Sequence, residues 1–244
     1  MHTQTISYTH AGTTFKGFMA TANLSIKRPV IIIAHAWRGQ DDFARNKAIE
    51  LAKLGYVGFA ADVYGDGKEV QTNEEAAALM TPLFLDRKLL QERINAAYAT
   101  ACQQDCVDQH NVGAIGFCFG GLTVIELFRS GTPIKGAVSF HGVLGNSMGP
   151  HKAATVPISK DIKGGLLILH GHDDPLVTAN DIQMMQEELT RAKVDWEMVI
   201  YGHTSHAFTN PEANDPELGL VFQSKSNQRS WIAMKDFFKE IFPH

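Results

Sequence analysis

The chain has 244 residues, of which 44% are hydrophobic and 20% charged, with a formal charge of -4 at neutral pH. That length can hold a sizeable core in a single α/β domain over residues 1–244, and the mild acidity leaves no basic footprint for nucleic acid. Met1-His2-Thr3-Gln4-Thr5 lacks the basic and apolar parts of a secretory signal, no apolar run is long enough for a membrane, and three cysteines make no disulfide framework, so a reducing, cytoplasmic setting is expected.

Thr5–Ala20 alternates loosely around Ala11-Gly12-Thr13 and predicts a hairpin. Pro29–Ala34 is a continuous β-branched run, the pattern of a parallel strand buried on both faces. Phe43–Leu54 has helical spacing and closes on Gly55, and Tyr56–Val63 is the next strand. Asn73–Gln103 carries two helical stretches around Pro82. A strand at Val112–Phe117, a helix at Gly121–Arg129 and a strand at Ile134–Phe140 follow. Gly142–Lys163 is irregular and reads as a loop or lid. A strand at Gly164–Leu169, a helix at Thr178–Ala192, a strand at Trp196–Tyr201 and a helix at Asn227–Phe242 complete the chain. The alternation predicts right-handed β-α-β units, with a mostly parallel central sheet and helices on both faces.

Functional residues in such sheets gather past the carboxyl ends of strands. His35-Ala36-Trp37, Cys118, His141-Gly142 and His170-Gly171-His172-Asp173-Asp174 all stand there. The central strand runs into Gly116-Phe117-Cys118-Phe119-Gly120, a nucleophile elbow with cysteine where serine is usual. The glycines suit a turn too tight for a Cβ, and the turn places the thiol at a helix N-terminus that favours a thiolate and an oxyanion. The plain alternative is a small buried cysteine in a strand-to-helix connection.

A thiol nucleophile needs a base, and the base an orienting acid, in the order nucleophile, acid, histidine. Asp173 and Asp174 are the acids; Asp174 is preferred because the proline after it holds its backbone extended, while Asp173 suits a turn or cap. His203 and His206 both follow the last strand and either could be the base. His141 and His170 read as pocket-wall or packing residues. Oxyanion donors would be the N–H of Phe119 and one from the loop at Trp37 or Ala36. Tyr64, Trp37, Phe117, Phe119 and Phe208 suggest an apolar pocket, with core packing as the alternative for Phe117 and Phe119. Cys102 and Cys106 read as structural, and no His-x-x-x-His pair supports a zinc protease.

Four segments carry a family resemblance: Gly116-Phe117-Cys118-Phe119-Gly120-Gly121, Ala61-Asp62-Val63-Tyr64-Gly65, Gly171-His172-Asp173-Asp174-Pro175-Leu176-Val177 and Gly202-His203-Thr204-Ser205-His206-Ala207-Phe208. With them the chain resembles the dienelactone hydrolases of the α/β-hydrolase superfamily over nearly its whole length. The resemblance implies an α/β-hydrolase fold, a Cys118–His206–Asp174 triad, and cleavage of a small ester or lactone through a thioester acyl-enzyme without a cofactor. It selects His206 over His203. Ala36, Arg38, Tyr64, His141 and Phe208 are the expected pocket residues. The chain departs from the family at Ala36, where a glutamate acts on the thiol, and at Asn210, where an arginine holds a substrate carboxylate; Arg38 and Arg87 are candidates to compensate for the arginine. Two other readings keep the fold: a small-molecule binding protein with a degenerate site, and a redox thiol protein oxidised at Cys118.

Overall fold

Strands that are apolar at every position need cover on both faces, and the computed structural model, which describes residues 1–148, 151–154 and 156–242, provides it. The strands β1 (His2–His10), β2 (Thr13–Thr21), β3 (Arg28–Ala34), β4 (Val57–Ala61), β5 (Val107–Phe117), β6 (Gly136–Phe140), β7 (Gly165–Gly171) and β8 (Asp195–Tyr201) form one sheet, ordered β1-β2-β4-β3-β5-β6-β7-β8. β1 and β2 are an antiparallel hairpin and β2 meets β4 antiparallel. From β4 to β8 every pairing is parallel.

Alternate residues of the buried strands feed two separate cores. Val30, Ile32 and Ala34 face one side with Leu90 and Ile94 of α3 (Arg87–Cys102), Leu122 and Ile125 of α4 (Phe119–Arg129), and Met185 and Leu189 of α5 (Ala179–Arg191). Ile31 and Ile33 face the other with Ala48 and Leu51 of α1 (Asp42–Lys53) and Met234 and Phe238 of α6 (Ser224–Ile241). Each such isoleucine contributes about 1.5–3 kcal/mol by leaving water. Helices therefore cover both faces, and every parallel strand points its carboxyl end at the same edge.

Several boundaries differ from the sequence expectation. The break expected at Pro82 falls at Asp86: α2 (Asn73–Leu85) carries Pro82 in its last turn, and Asp86 caps α3 by accepting the Leu89 N–H at 2.9 Å. α4 starts at Phe119, directly after the elbow, rather than at Gly121. β5 begins at Val107 instead of Val112, because a register shift opposite Pro29 and Val30 lets the polar stretch keep pairing. Within the stretch 142–163, Ser147–Met148 pairs with His151–Lys152; Gly149, Pro150 and Thr155, part of the loop or lid expected there, lie outside the described residues. Among the described residues no helix is long and apolar enough to cross a membrane.

Candidate active site

The turn after β5 forces Cys118 into an uncommon backbone conformation, φ 57° and ψ -117°. A non-glycine residue there stores roughly 1–3 kcal/mol of strain. Neighbouring glycines make the turn possible: a Cβ on Gly116 would lie 1.9 Å from the Gly120 carbonyl oxygen, and one on Gly120 2.1 Å from that of Ala34. Cys118 stands at the cap of α4 without a side-chain capping bond. The Phe119 N–H is thus at the first position of the helix, where no intrahelical acceptor exists.

The acid and the histidine arrive on adjacent loops stitched together by backbone bonds. The His172 N–H donates to Tyr201 and the Asp173 N–H to Thr204, both at 2.9 Å. Asp173 spends its N–H on this docking and leaves its carboxylate exposed. Asp174 turns inward, its N–H bonded to the Gly171 carbonyl, and its carboxylate is buried. There Oδ2 lies 2.7 Å from His206 Nδ1, and Oδ1 accepts the Leu176 N–H at 2.9 Å. His203 is exposed, whereas His206 is fully buried. The His206 loop is pinned further by the Val221 N–H, which donates to the His206 carbonyl at 3.1 Å.

His206 Nε2 is buried without a well-aligned hydrogen bond. The Cys118 thiol is nonetheless near enough to act on the ring. Burial pulls the His206 pKa down, but the charge on Cys118, the bond to Asp174 and the contact with Cys118 together raise it above its ordinary value. A loose nucleophile–base contact before substrate binds is common. Burial pushes His170 the other way, below the ordinary imidazole value; its Nδ1 is 4.0 Å from Asp174 Oδ2.

The remaining predicted residues divide. Trp37 and Ala36 are half-buried on the loop after β3, and the Tyr64 hydroxyl donates to the Trp37 carbonyl at 2.8 Å. Tyr64 stacks on Phe119, and burial and the neighbouring Cys118 both raise its pKa. Phe208 is not an open pocket wall: it has no exposed surface and packs edge-on against His141 and Tyr201. His141 is likewise buried, with both ring nitrogens engaged, Nδ1 by the Cys118 N–H at 3.1 Å and Nε2 by Thr209 Oγ1 at 2.7 Å. Arg38 is exposed and donates to Asn73. Arg87 is buried 3.6 Å from Glu126. Asn210 accepts the Glu212 N–H at 3.0 Å, so its side chain serves a turn.

One organising residue was passed over in the sequence. The Asp62 carboxylate accepts the N–H groups of Lys16, Tyr64, Gly65 and Gly67 at 2.7–3.0 Å, fixing the Tyr64 loop against β2. An aspartate just past a strand end with glycines three and five residues on is a turn signal that points to it. Among the described residues no three His, Cys, Asp or Glu side chains converge as a metal site.

The sequence profile of the dienelactone hydrolase family matches residues 15–242. The chain belongs to that family. It is therefore placed among hydrolases, and the resemblance read from the four motifs holds. Solved structures agree. The crystal structure of a dienelactone hydrolase-like promiscuous phosphotriesterase, P91, from metagenomic libraries superposes with a TM-score of 0.91 at 33% identity, covering 99% of each chain. A structure described as m3DLH gives 0.90 at 35% identity, also covering 99% of each. Among curated relatives, Protein usf of Aquifex pyrophilus is 26% identical over 97% of this chain and 98% of its own.

Proposed function

We propose that this chain hydrolyses small carboxylic esters or lactones with Cys118 as nucleophile, His206 as base and Asp174 as orienting acid. The observation that supports this most directly is the buried 2.7 Å bond between Asp174 and the His206 ring, whose other nitrogen is left for Cys118 on its strained turn. The Cys118 proton passes to His206 Nε2, and the thiolate attacks the carbonyl carbon. The N–H of Phe119 and one from the Trp37 loop receive the oxyanion. The leaving oxygen departs with the proton from His206, giving a thioester. Water, deprotonated by His206, then cleaves the thioester and frees the acid and Cys118. With a methyl group at Ala36 where the family glutamate stands, thiol activation falls to His206, and its raised pKa fits that task.

A second substrate class is motivated by the neighbour described as a promiscuous phosphotriesterase, 33% identical over nearly the whole chain. A phosphoryl oxygen would use the same donors. The redox reading gains no resolving thiol from Cys106: it precedes β5 and Cys118 follows it, and β3 runs alongside from Arg28, opposite Val107, to Ala34, opposite Gly116, which separates the two ends by about 20 Å.

The test is hydrolysis of short-chain p-nitrophenyl esters, a lactone panel and a p-nitrophenyl phosphotriester by wild type, Cys118→Ala and His206→Ala. Loss of turnover in both variants is expected. Equal rates in all three would sink the hydrolytic assignment of these residues.

A further inference from the structure

His141 is a buried histidine that the steps above leave unused. It follows β6 with φ 39°, a left-handed conformation that non-glycine residues hold only when their surroundings impose it. Its N–H is bonded to the Leu169 carbonyl at 2.8 Å. Nδ1 lies 3.1 Å from the Cys118 nitrogen, which also shares its hydrogen with the Phe140 carbonyl at 3.1 Å. A backbone N–H can only donate, so Nδ1 must carry a lone pair and the neutral ring holds its proton on Nε2. That nitrogen is 2.7 Å from Oγ1 of the buried Thr209, three residues beyond His206. The ring also meets the rings of His206 and Phe208 edge-on, each at 5.0 Å.

One imidazole therefore reaches from the backbone of the nucleophile to the loop that carries the base. We propose that His141 is a positioning residue, a strut between the Cys118 N–H and Thr209 that sets the sulfur against His206 Nε2. This rests on the triad reading above. The strut works only with a neutral ring. A proton on Nδ1 would face the Cys118 N–H donor to donor, and would set a second cation 5.0 Å from the His206 ring. Burial, then the charges of His206 and His170, hold the His141 pKa well below its ordinary value.

The experiment compares His141→Leu, His141→Gln and Thr209→Val with wild type. Melting temperature, kcat and KM on p-nitrophenyl butyrate, and the iodoacetamide labelling rate of the Cys118 peptide at pH 7 are measured. His141→Leu is expected to lower kcat about 10²-fold, the scale of an ångström-sized misplacement. KM should stay within about threefold, and labelling should slow about tenfold. Glutamine, which can accept the Cys118 N–H and donate to Thr209, restores most of both. Thr209→Val keeps the imidazole but removes its anchor, and gives a smaller loss of the same kind even if the leucine variant does not fold. Wild-type kcat and labelling in a folded His141→Leu protein would overturn the proposal, as would equal losses in the glutamine and leucine variants. Hydrolysis that survives in Cys118→Ala would instead count against the triad, and labelling alone would then decide the role of His141.

Discussion

Asparagine at position 174 keeps the size of the side chain and changes what its atoms can do. Oδ1 accepts the Leu176 N–H at 2.9 Å and Oδ2 accepts from His206 Nδ1 at 2.7 Å. An amide has one carbonyl oxygen for these two donors. If the oxygen stays on Leu176, the NH₂ group faces Nδ1, and the imidazole proton moves to Nε2, the atom that must take the Cys118 proton. If it turns to His206, the NH₂ opposes the Leu176 N–H and leaves a buried donor unpaired, at a cost of about 1–3 kcal/mol. The first arrangement is the cheaper, and it removes the base. The same tautomer error in a serine-protease triad lowers kcat about 10⁴-fold. At 1.36 kcal/mol per decade, a loss of 10³- to 10⁴-fold is roughly 4–5 kcal/mol of transition-state stabilisation. The assay is steady-state hydrolysis of p-nitrophenyl acetate by Asp174→Asn and by Asp173→Asn, whose exposed carboxylate predicts a kcat within about twofold of wild type. An Asp174→Asn enzyme within tenfold of wild type, or an equal loss in both variants, would refute the reasoning.

Tyr64→Phe removes the 2.8 Å bond to the Trp37 carbonyl; the expected cost is about 1 kcal/mol in stability and about tenfold in kcat at unchanged KM as the oxyanion loop drifts. Unchanged kcat in that variant would detach the Trp37 loop from catalysis. Acid sensitivity follows from His35, His141 and His170, all buried and all held below the ordinary imidazole value by desolvation first. Below about pH 6.5 the unfolded chain binds protons that these three sites refuse, so stability falls with pH at up to about 1.4 kcal/mol per unit for each. His206 has the opposite sign: its raised value adds stability that is complete below about pH 6.5 and is lost as pH rises through the folded value. It therefore offsets the acid loss only slightly, as the unfolded imidazole finishes protonating near pH 6.5, and the three lowered histidines dominate. Urea midpoints at pH 7 and 5.5 test this, and an equal or higher midpoint at pH 5.5 contradicts it.

The sheet was legible because its signals are local. Runs such as Val30–Ala34 are apolar at every position, and the glycines at 116 and 120 mark a turn that admits no Cβ. The candidate Cys118 comes from that turn, the candidate Asp174 from its strand end and the proline after it, and the candidate His206 from the family resemblance. What sequence could not reach depends on contacts between distant residues. Its place after a strand suggests a pocket-wall or packing role for His141, and aromatic character a pocket role for Phe208, yet one is bonded at both nitrogens and the other is fully buried against it. The helix break slid from Pro82 to Asp86: α2 continues past the proline at the cost of one i→i−4 bond, and the aspartate four residues on both ends it and caps the next helix. Asp62 gathers the amides of its own turn and that of Lys16 in β2, forty-six residues away, and the reach to β2 has no trace in local spacing.

The first turns of α1, α2, α3 and α5 are each closed by an aspartate or threonine side chain, while α4 begins on Cys118 with no such closure. A serine or aspartate cap is commonly worth about 1 kcal/mol, so the resting protein forgoes at α4 a stabilisation that four of its helices have; α6, capped by Gln223 without a side-chain bond, forgoes it too. On the proposed mechanism, an oxygen carried on the sulfur would complete the turn instead. The molecule would then be sturdiest in the middle of that reaction: a slowly released acyl group, or an aldehyde held as a thiohemiacetal, would act as the missing cap, and heat tolerance would rise with occupancy. A culture or a storage buffer rich in substrate would preserve such an enzyme better than a clean one.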